Sequence, residues 1–283
     1  TVALVFFLIR RRPPDSPRFP APTLVRSGGS AGVPMIGGEE GTYTGIWGAC
    51  DPKEPRNRRT RSSIVIEGED GFRLLVDSGP DFRTQMLDCG VGRVDAVLYT
   101  HPHSDHIGGL DELRAINRVI GRPLPLLATQ DVLEELRLRY AYAFAPWRGP
   151  EFYRPVFDEH LVESGQLIEF GALSGQVFDQ HHGRIMSLGM RFGSFAYCTD
   201  VDTMPEEAIE ILQGVDTWLV DCFQYDPHPA HAWLDRVLEW RSLIGARRTI
   251  LTHMGAEMDY GTLCRMLPSD VEPAYDGMTL DLA

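Results

Sequence analysis

Three imidazoles and a carboxylate stand within six consecutive positions, His101-Pro102-His103-Ser104-Asp105-His106. Two histidines one residue apart point to the same side of an extended segment. Imidazole and carboxylate donors together suit zinc, manganese or iron. Gly108-Gly109 follows and gives the backbone freedom to bring the donors together. The alternative is a surface loop that is His-rich by accident. With only nine histidines in the chain, three at this spacing make a poor accident.

One cluster cannot fill two metal sites, and other ionisable groups stand where apolar runs stop. Leu74-Leu75-Val76 ends in Asp77, the run 96–100 in His101, and the run 195–199 in Asp200. Leu219-Val220 ends in Asp221, and Ile250-Leu251-Thr252 in His253. Five expected strands thus deliver five ionisable side chains at their C-terminal ends, where layered folds gather reactive groups on one rim. His182, in a turn context, is a further donor. A lone histidine is more often a surface or core residue, so these positions gain weight from the first cluster.

The elements expected to position these groups are short strands alternating with helices. Residues 63–67 and 72–77 read as a strand pair about the turn at 68–71. Further strands are expected at 95–100, 124–127, 166–170, 175–179, 187–192, 194–199, 217–221, 248–252 and 278–282. Helices are expected at 81–89, 110–120, 130–140, 205–212 and 230–244, with Pro205 in a first turn. Hairpin pairs mixed with β–α units imply sheets covered by helices in one domain, residues 22–283. Residues 27–61 form a long Gly-rich loop, of a length that is often functional.

A net charge of −13, from 27 Lys and Arg against 40 Asp and Glu, repels nucleic acid and anionic membrane at long range. Residues 56–61 (RNRRTR) are the dense basic stretch downstream of the N-terminus. The five cysteines are odd in number and form no CxxC pair, which fits a reducing cytoplasm. The apolar run 2–9 is too short to span a bilayer. Its arginines follow it, whereas a signal peptide carries them ahead. Prolines at 13, 14, 17, 20 and 22 hold the next stretch extended. Residues 1–21 are therefore expected to be an appendage outside the fold, with a membrane-tether remnant as the alternative.

From Thr23 onward the chain resembles the metallo-β-lactamase superfamily, whose ordered motifs match HxHxDH at 101–106, then a later histidine, Asp200 and His253. It is most similar to the PhnP-like branch, that of the carbon–phosphorus lyase accessory phosphodiesterase. The branch features are GGSAGVP at 28–34, NRRTRSS at 57–63, DSGPDFR at 77–83, HGR at 182–184, HPAH at 228–231 and AYDG at 274–277. The resemblance implies an α/β (α+β) fold, a four-layer αββα sandwich. It implies two divalent ions, Zn2+ or Mn2+, with Fe2+ also within range. His101, His103 and His182 would bind one, and Asp105, His106 and His253 the other, with Asp200 bridging. His181 and His182 compete for the third motif, and the Gly-Arg after His182 favours the latter. Asp77 matches a carboxylate that braces the metal loop. Asp105 and His231 are the catalytic pair that the branch implies. One departure is clear: where the relative carries an extra zinc on a cysteine-rich early loop, this chain has Gly37-Gly38-Glu39-Glu40 and Cys50, so that site is expected to be absent.

The implied activity is hydrolysis of a small or cyclic phosphodiester by a metal-bridging hydroxide. His231 would donate a proton to the leaving alkoxide; its alternative is an N-cap or helix-surface residue before Trp233. Arg58, Arg59 and Arg61 would bind phosphate oxygens or form a solvated loop. Asp221 would orient a histidine or cap a strand end, and His160 and His228 read as surface residues. The competing functions are hydrolysis of a carbonyl ester, thioester or lactam at the same metals, RNA processing, which the charge disfavours, and a non-catalytic binding module. The expected partner is a small-molecule phosphodiester, with no membrane span and a homodimer left open.

Overall fold

Apolar runs of four or five residues bounded by Gly, Asp and Pro build the frame. The computed structural model describes residues 22–25, 28–38, 44–146 and 156–282. The expected appendage, 1–21, lies outside the described residues. In chain order the first sheet is laid down by β1 (Pro22–Val25), β2 (Ile64–Glu67), β3 (Arg73–Val76), β4 (Ala96–Leu98), β5 (Leu124–Ala128) and β6 (Phe157–Leu161). The second follows as β7 (Leu167–Phe170), β8 (Leu173–His182), β9 (Ile185–Phe192), β10 (Phe195–Cys198), β11 (Thr217–Asp221), β12 (Arg248–Thr252) and β13 (Val271–Pro273). The last strand, β14 (Met278–Asp281), returns to the first sheet and pairs with β1. The strand orders are β14-β1-β2-β3-β4-β5-β6 and β13-β12-β11-β10-β9-β8-β7.

Side chains alternate between two cores. Ile64, Ile66, Leu74, Val76, Ala96 and Leu98 share one with Val177, Met190, Ala196 and Trp218 of the second sheet. Val65, Leu75 and Val97 belong to the other. Helices α1 (Phe82–Asp88), α2 (Ser104–Ile107), α3 (Leu113–Ile120), α4 (Gln130–Arg139) and α5 (Ala141–Phe144) fill that outer layer. Helices α6 (Glu206–Leu212), α7 (Leu234–Ile244) and α8 (Tyr260–Met266) pack on the second sheet. The result is the four-layer αββα sandwich. Strands buried on both faces read as unbroken apolar runs, which is why 74–76 and 96–98 show no alternation.

Topology explains the strand ends. β3, β4, β5 and β6 are parallel, as are β10, β11, β12 and β13. β8 and β10 both run antiparallel to β9, so they share a direction. Each set therefore presents its C-terminal ends on one edge.

Several elements differ from expectation. Residues 230–233 are not helical: Ala232 O accepts from Phe223 N (2.9 Å) and Leu234 N donates to Gln224 O (3.1 Å). The helix begins only at Leu234 with Trp233 as N-cap. β8 runs on to His182 because it pairs with β9 to the tip of their hairpin. β6, β13 and α8 carry weak sequence signals. β6 is a half-exposed edge strand with polar residues, and β13 is an edge strand ending in proline. α8 contains Gly and Thr, and Asp259 caps it by accepting from Thr262 N (2.8 Å).

Candidate metal centre

Among the described residues, three that are not glycine have positive φ: Asp77 (61°), Asp200 (51°) and His253 (53°). Asp77 and His253 immediately follow strands β3 and β12, and Asp200 follows β10 after Thr199. Such a conformation costs on the order of 1–3 kcal/mol and persists only where the surroundings over-determine it. Here it turns each side chain back over the sheet edge. Asp77 is held by three bonds: Thr100 N to Oδ1 (2.8 Å), Thr100 Oγ1 to Oδ2 (2.8 Å) and His106 Nδ1 to Oδ2 (2.7 Å). Asp200 is held by Ser187 Oγ on its carbonyl (2.7 Å) and Thr199 Oγ1 on Oδ1 (2.7 Å).

The turned side chains meet in two groups. His101, His103, His182 and Asp200 offer donor atoms that all lie within 4.8 Å of one another, and so do Asp105, His106, Asp200 and His253. In the first group His182 Nε2 is 3.1 Å from His103 Nδ1 and 3.5 Å from Asp200 Oδ2, and His101 Nε2 is 3.7 Å from that same oxygen. In the second, Asp200 Oδ1 is 3.1 Å from His106 Nε2 and 3.2 Å from His253 Nε2. Asp105 Oδ2 is 3.3 Å and 3.5 Å from those nitrogens. Donors at about 2.0–2.2 Å in a tetrahedron stand about 3.3–3.6 Å apart, so both groups have the size of a shell around one divalent ion. Asp200 turns one oxygen to each group. The Nε2 atoms of His101, His106 and His253 and Oδ2 of Asp200 are buried without a hydrogen-bond partner. Buried polar atoms are rarely left so, and atoms of this type converging on a point fit a cation.

In three of the histidines the opposite ring nitrogen is occupied, which aims the other one, while Nδ1 of His253 has no hydrogen-bond partner among the described residues. His106 Nδ1 is bonded to Asp77, His101 Nδ1 lies 3.0 Å from Thr100 Oγ1, and His182 Nδ1 lies 2.5 Å from Ala230 O. Thr100 joins Asp77 to His101, a role that nothing in its sequence context announced. His182 is buried, whereas His181 is exposed and its backbone pairs with Thr203. His103 is exposed at the rim.

Beside these groups, His231 donates Nδ1–H to Asp221 Oδ2 (2.9 Å), and Asp221 Oδ1 lies 3.7 Å from His253 Nδ1. His231 is 7% exposed and stacks on His253, ring centroids 4.8 Å apart. Burial alone would lower the His231 pKa, but Asp221, Asp200 and Asp105 together push it up to about 9. Burial, followed by the facing His106, lowers His101 well below its ordinary value. Burial opposes ionisation of Asp200, yet His253, His106 and His101 hold its carboxyl well below the usual range. Asp200 is thus held anionic and His101 neutral, the states in which each binds metal, whereas burial of His106 is outweighed by Asp200, Asp77 and Asp105, which raise it well above its ordinary value.

Two glycines allow the loops after β3 and β4 to touch. A Cβ on Gly79 would lie 2.1 Å from Asp105 O, and one on Gly109 would lie 2.2 Å from Gly79 O. Gly79→Ala is therefore expected to push the 105–106 turn off Asp77, lowering Tm by the equivalent of about 1–3 kcal/mol. Metal affinity should fall with it. Calorimetry with elemental analysis checks this, and unchanged values in both would refute the packing argument.

The basic stretch does not line the site as a block. Arg59 is 2% exposed and donates to Met258 O and Gly255 O (both 2.9 Å) and to Cys50 Sγ (3.3 Å). Arg61 pairs with Asp81 (3.0 Å), and Arg56 lies over the Tyr260 ring. Arg58 is exposed, with its guanidinium 5.2 Å from the Trp47 ring. Arg59 and Arg61 are thus committed to fastening this loop to 255–258 and to Asp81, because a buried guanidinium must satisfy its donors locally. His228, expected at the surface, is half-buried against His231 and Phe223. No helix among the described residues is long and apolar enough to cross a membrane. None of the five cysteines, all among the described residues, is in a disulfide.

Two sheets back to back, with His and Asp donors gathered at their shared edge, define a hydrolase of the metallo-β-lactamase class. A family model described as a beta-lactamase superfamily domain matches residues 72–254, and the chain belongs to that superfamily, in its PhnP-like branch. The crystal structure of a diphosphatase from the PhnP family superposes with a TM-score of 0.82 at 32% identity, covering 93% of this chain and 97% of that one. An octanoyltransferase of Porphyromonas gingivalis is 32% identical over 257 residues, 90% of this chain and 50% of that protein. A ribonuclease Z of Methanopyrus kandleri is 30% identical over 148 residues, 50% of this chain and 46% of that protein. The chain thus spans about half the length of these two relatives.

Proposed function

We propose that this chain is a phosphodiesterase acting on a small or cyclic phosphodiester with two divalent ions. The observation that carries the reading is the pair of donor groups sharing Asp200 through opposite oxygens, with the Asp221–His231 pair alongside. His101, His103, His182 and Asp200 would hold one ion, and Asp105, His106, His253 and Asp200 the other. Zn2+ and Mn2+ suit the donors, as does Fe2+. Such a pair, when bound, supplies a water acidified towards neutrality and positive charge beside the phosphoryl oxygens. Asp105 also orients the attacking water. His231, with Nδ1 tied to Asp221, holds a proton on Nε2 for the leaving oxygen. The names of the similar proteins, a diphosphatase and a ribonuclease, support phosphorus over carbon as the centre attacked. The charge of −13 supports a small substrate over a polymer. Cysteines held as thiols rather than disulfides support a cytoplasmic location.

One observation favours a second reading, hydrolysis of an acyl thioester at the same centre: the similarity to half of a protein named octanoyltransferase. Metal-loaded protein assayed against a chromogenic phosphodiester, a cyclic phosphodiester, a lactam and an octanoyl thioester decides between them. The expected result is the highest kcat/KM on a phosphodiester. Preference for the thioester over every phosphodiester would replace the first reading with the second and leave the metal centre standing.

A further inference from the structure

We infer that His228 contacts the substrate, offering its Nε2–H at the mouth of the site to a non-esterified phosphate oxygen. The inference rests on the phosphodiesterase reading above. Ala230 N–H donates to His228 Nδ1 (3.2 Å). A ring nitrogen that accepts a backbone N–H carries no proton, so the neutral ring carries its proton on Nε2. Among the described residues, that atom has no protein partner.

The ring packs beside the proposed proton donor. Its centroid is 5.1 Å from that of His231 and 5.1 Å from that of Phe223. Phe223 stacks on His231 at 4.9 Å and 24°, and His231 stacks on His253 at 4.8 Å and 22°. The four rings form one wall that starts at a proposed metal donor. His231 and His253 are buried in this wall while Phe223 and His228 are half-buried, and within it His228 touches only Phe223 and His231, which puts it at the end away from His253. Pro229 fixes one backbone dihedral between the two histidines. The turn after His182 backs the segment, since a Cβ on Gly183 would come within 3.1 Å of Ala230 Cβ. The position is therefore rigid, as a contact that orients substrate requires. Burial, then the neighbouring His231, lowers the His228 pKa and keeps the ring neutral. Two metals and the imidazolium of His231 already face a substrate with a single negative charge. A neutral donor adds direction there without adding charge.

The competing role is local, in which His228 merely closes the 228–230 turn. Two substitutions separate them. In His228→Asn the carboxamide oxygen stands where Nδ1 stood, keeping the bond from Ala230 and losing the distal donor. In His228→Gln the carboxamide nitrogen reaches the Nε2 position and the turn bond is lost. KM for a chromogenic phosphodiester should rise about 10–100-fold in His228→Asn, the cost of a lost bond to a charged acceptor, and stay within about threefold in His228→Gln. Tm and metal content should match wild type in both. Calorimetric binding of inorganic phosphate to metal-loaded protein should weaken in the same order. The reverse pattern, His228→Gln impaired and His228→Asn intact, would assign His228 to the turn and overturn the inference. Wild type that turns over no phosphodiester removes the functional reading instead. Phosphate binding still decides the role of His228 in that case, since equal Kd in wild type and His228→Asn overturns it.

Discussion

Asp200→Ala should strip the protein of metal more completely than the loss of any single histidine. Each proposed histidine serves one donor group, while Asp200 presents Oδ1 to His106 and His253 and Oδ2 to His101 and His182. Wild type should hold about two divalent ions per chain, the complement of a two-metal hydrolase. Asp200→Ala should hold well under one, and turnover should fall on the order of 10³-fold or more, since several kcal/mol of charge stabilisation go with the metals. Because Asp200 has φ 51°, alanine there adds backbone strain. Asp200→Asn is the companion variant: asparagine tolerates this conformation and keeps one oxygen donor, so the fold should survive while one ion is lost. Asp77→Ala tests the braces by contrast. It removes the acceptor of His106 Nδ1 without removing a donor, and should weaken metal affinity by about 10–100-fold with stoichiometry recoverable at high metal. Elemental analysis and metal titration read all three. Two ions retained in Asp200→Ala would end the bridging assignment.

How much of this was legible in the chain depended on how local the signal was. The segment 101–106 announces its chemistry because four donors are neighbours in sequence. Asp77, Asp200 and His253 were legible as strand ends, since an apolar run that stops in a charged residue marks a buried strand reaching its edge. That these ends share a rim follows from the parallel order of β3 to β6 and of β10 to β13, which no local pattern encodes. Arg59 defeated local reading: beside Arg58 and Arg61 it looks like part of a basic patch. Burial against Gly255 O and Met258 O, about 200 positions away, commits it to holding the segment after His253. The 230–233 segment misled for a related reason. Its two alanines and Trp233, running into Leu234, suit a helix, but bonds to Phe223 and Gln224 draw it out straight and send His231 inward.

That inward turn leads to the prediction most specific to the proposed chemistry. His231 Nδ1 is bound to Asp221, so Nε2 alone is free to serve a leaving oxygen. An alkoxide leaving without a proton is a poor leaving group, whereas a nitrophenolate needs none. His231→Ala should therefore lower kcat for alkyl phosphodiesters by roughly 10²–10⁴, the range of general acid catalysis. It should change kcat for a nitrophenyl ester much less. Metal content should not change, since His231 belongs to neither of the two groups sharing Asp200. The acid works in its protonated form, so activity on alkyl esters should fall as pH rises through the His231 pKa. Burial alone would lower that pKa, and the Asp221 carboxylate is the strongest influence raising it. In Asp221→Asn the charge that retains the proton is gone, and the alkaline limb should move to lower pH for alkyl esters while the nitrophenyl profile keeps its shape. Ions bound at Asp200 and Asp105 would offset the help those carboxylates give, which leaves Asp221 as the chief support of the imidazolium in the loaded enzyme. Equal losses with both leaving groups in His231→Ala would reassign the residue from proton donor to substrate positioning. An alkaline limb that stays in place in Asp221→Asn would show that a different group is the acid.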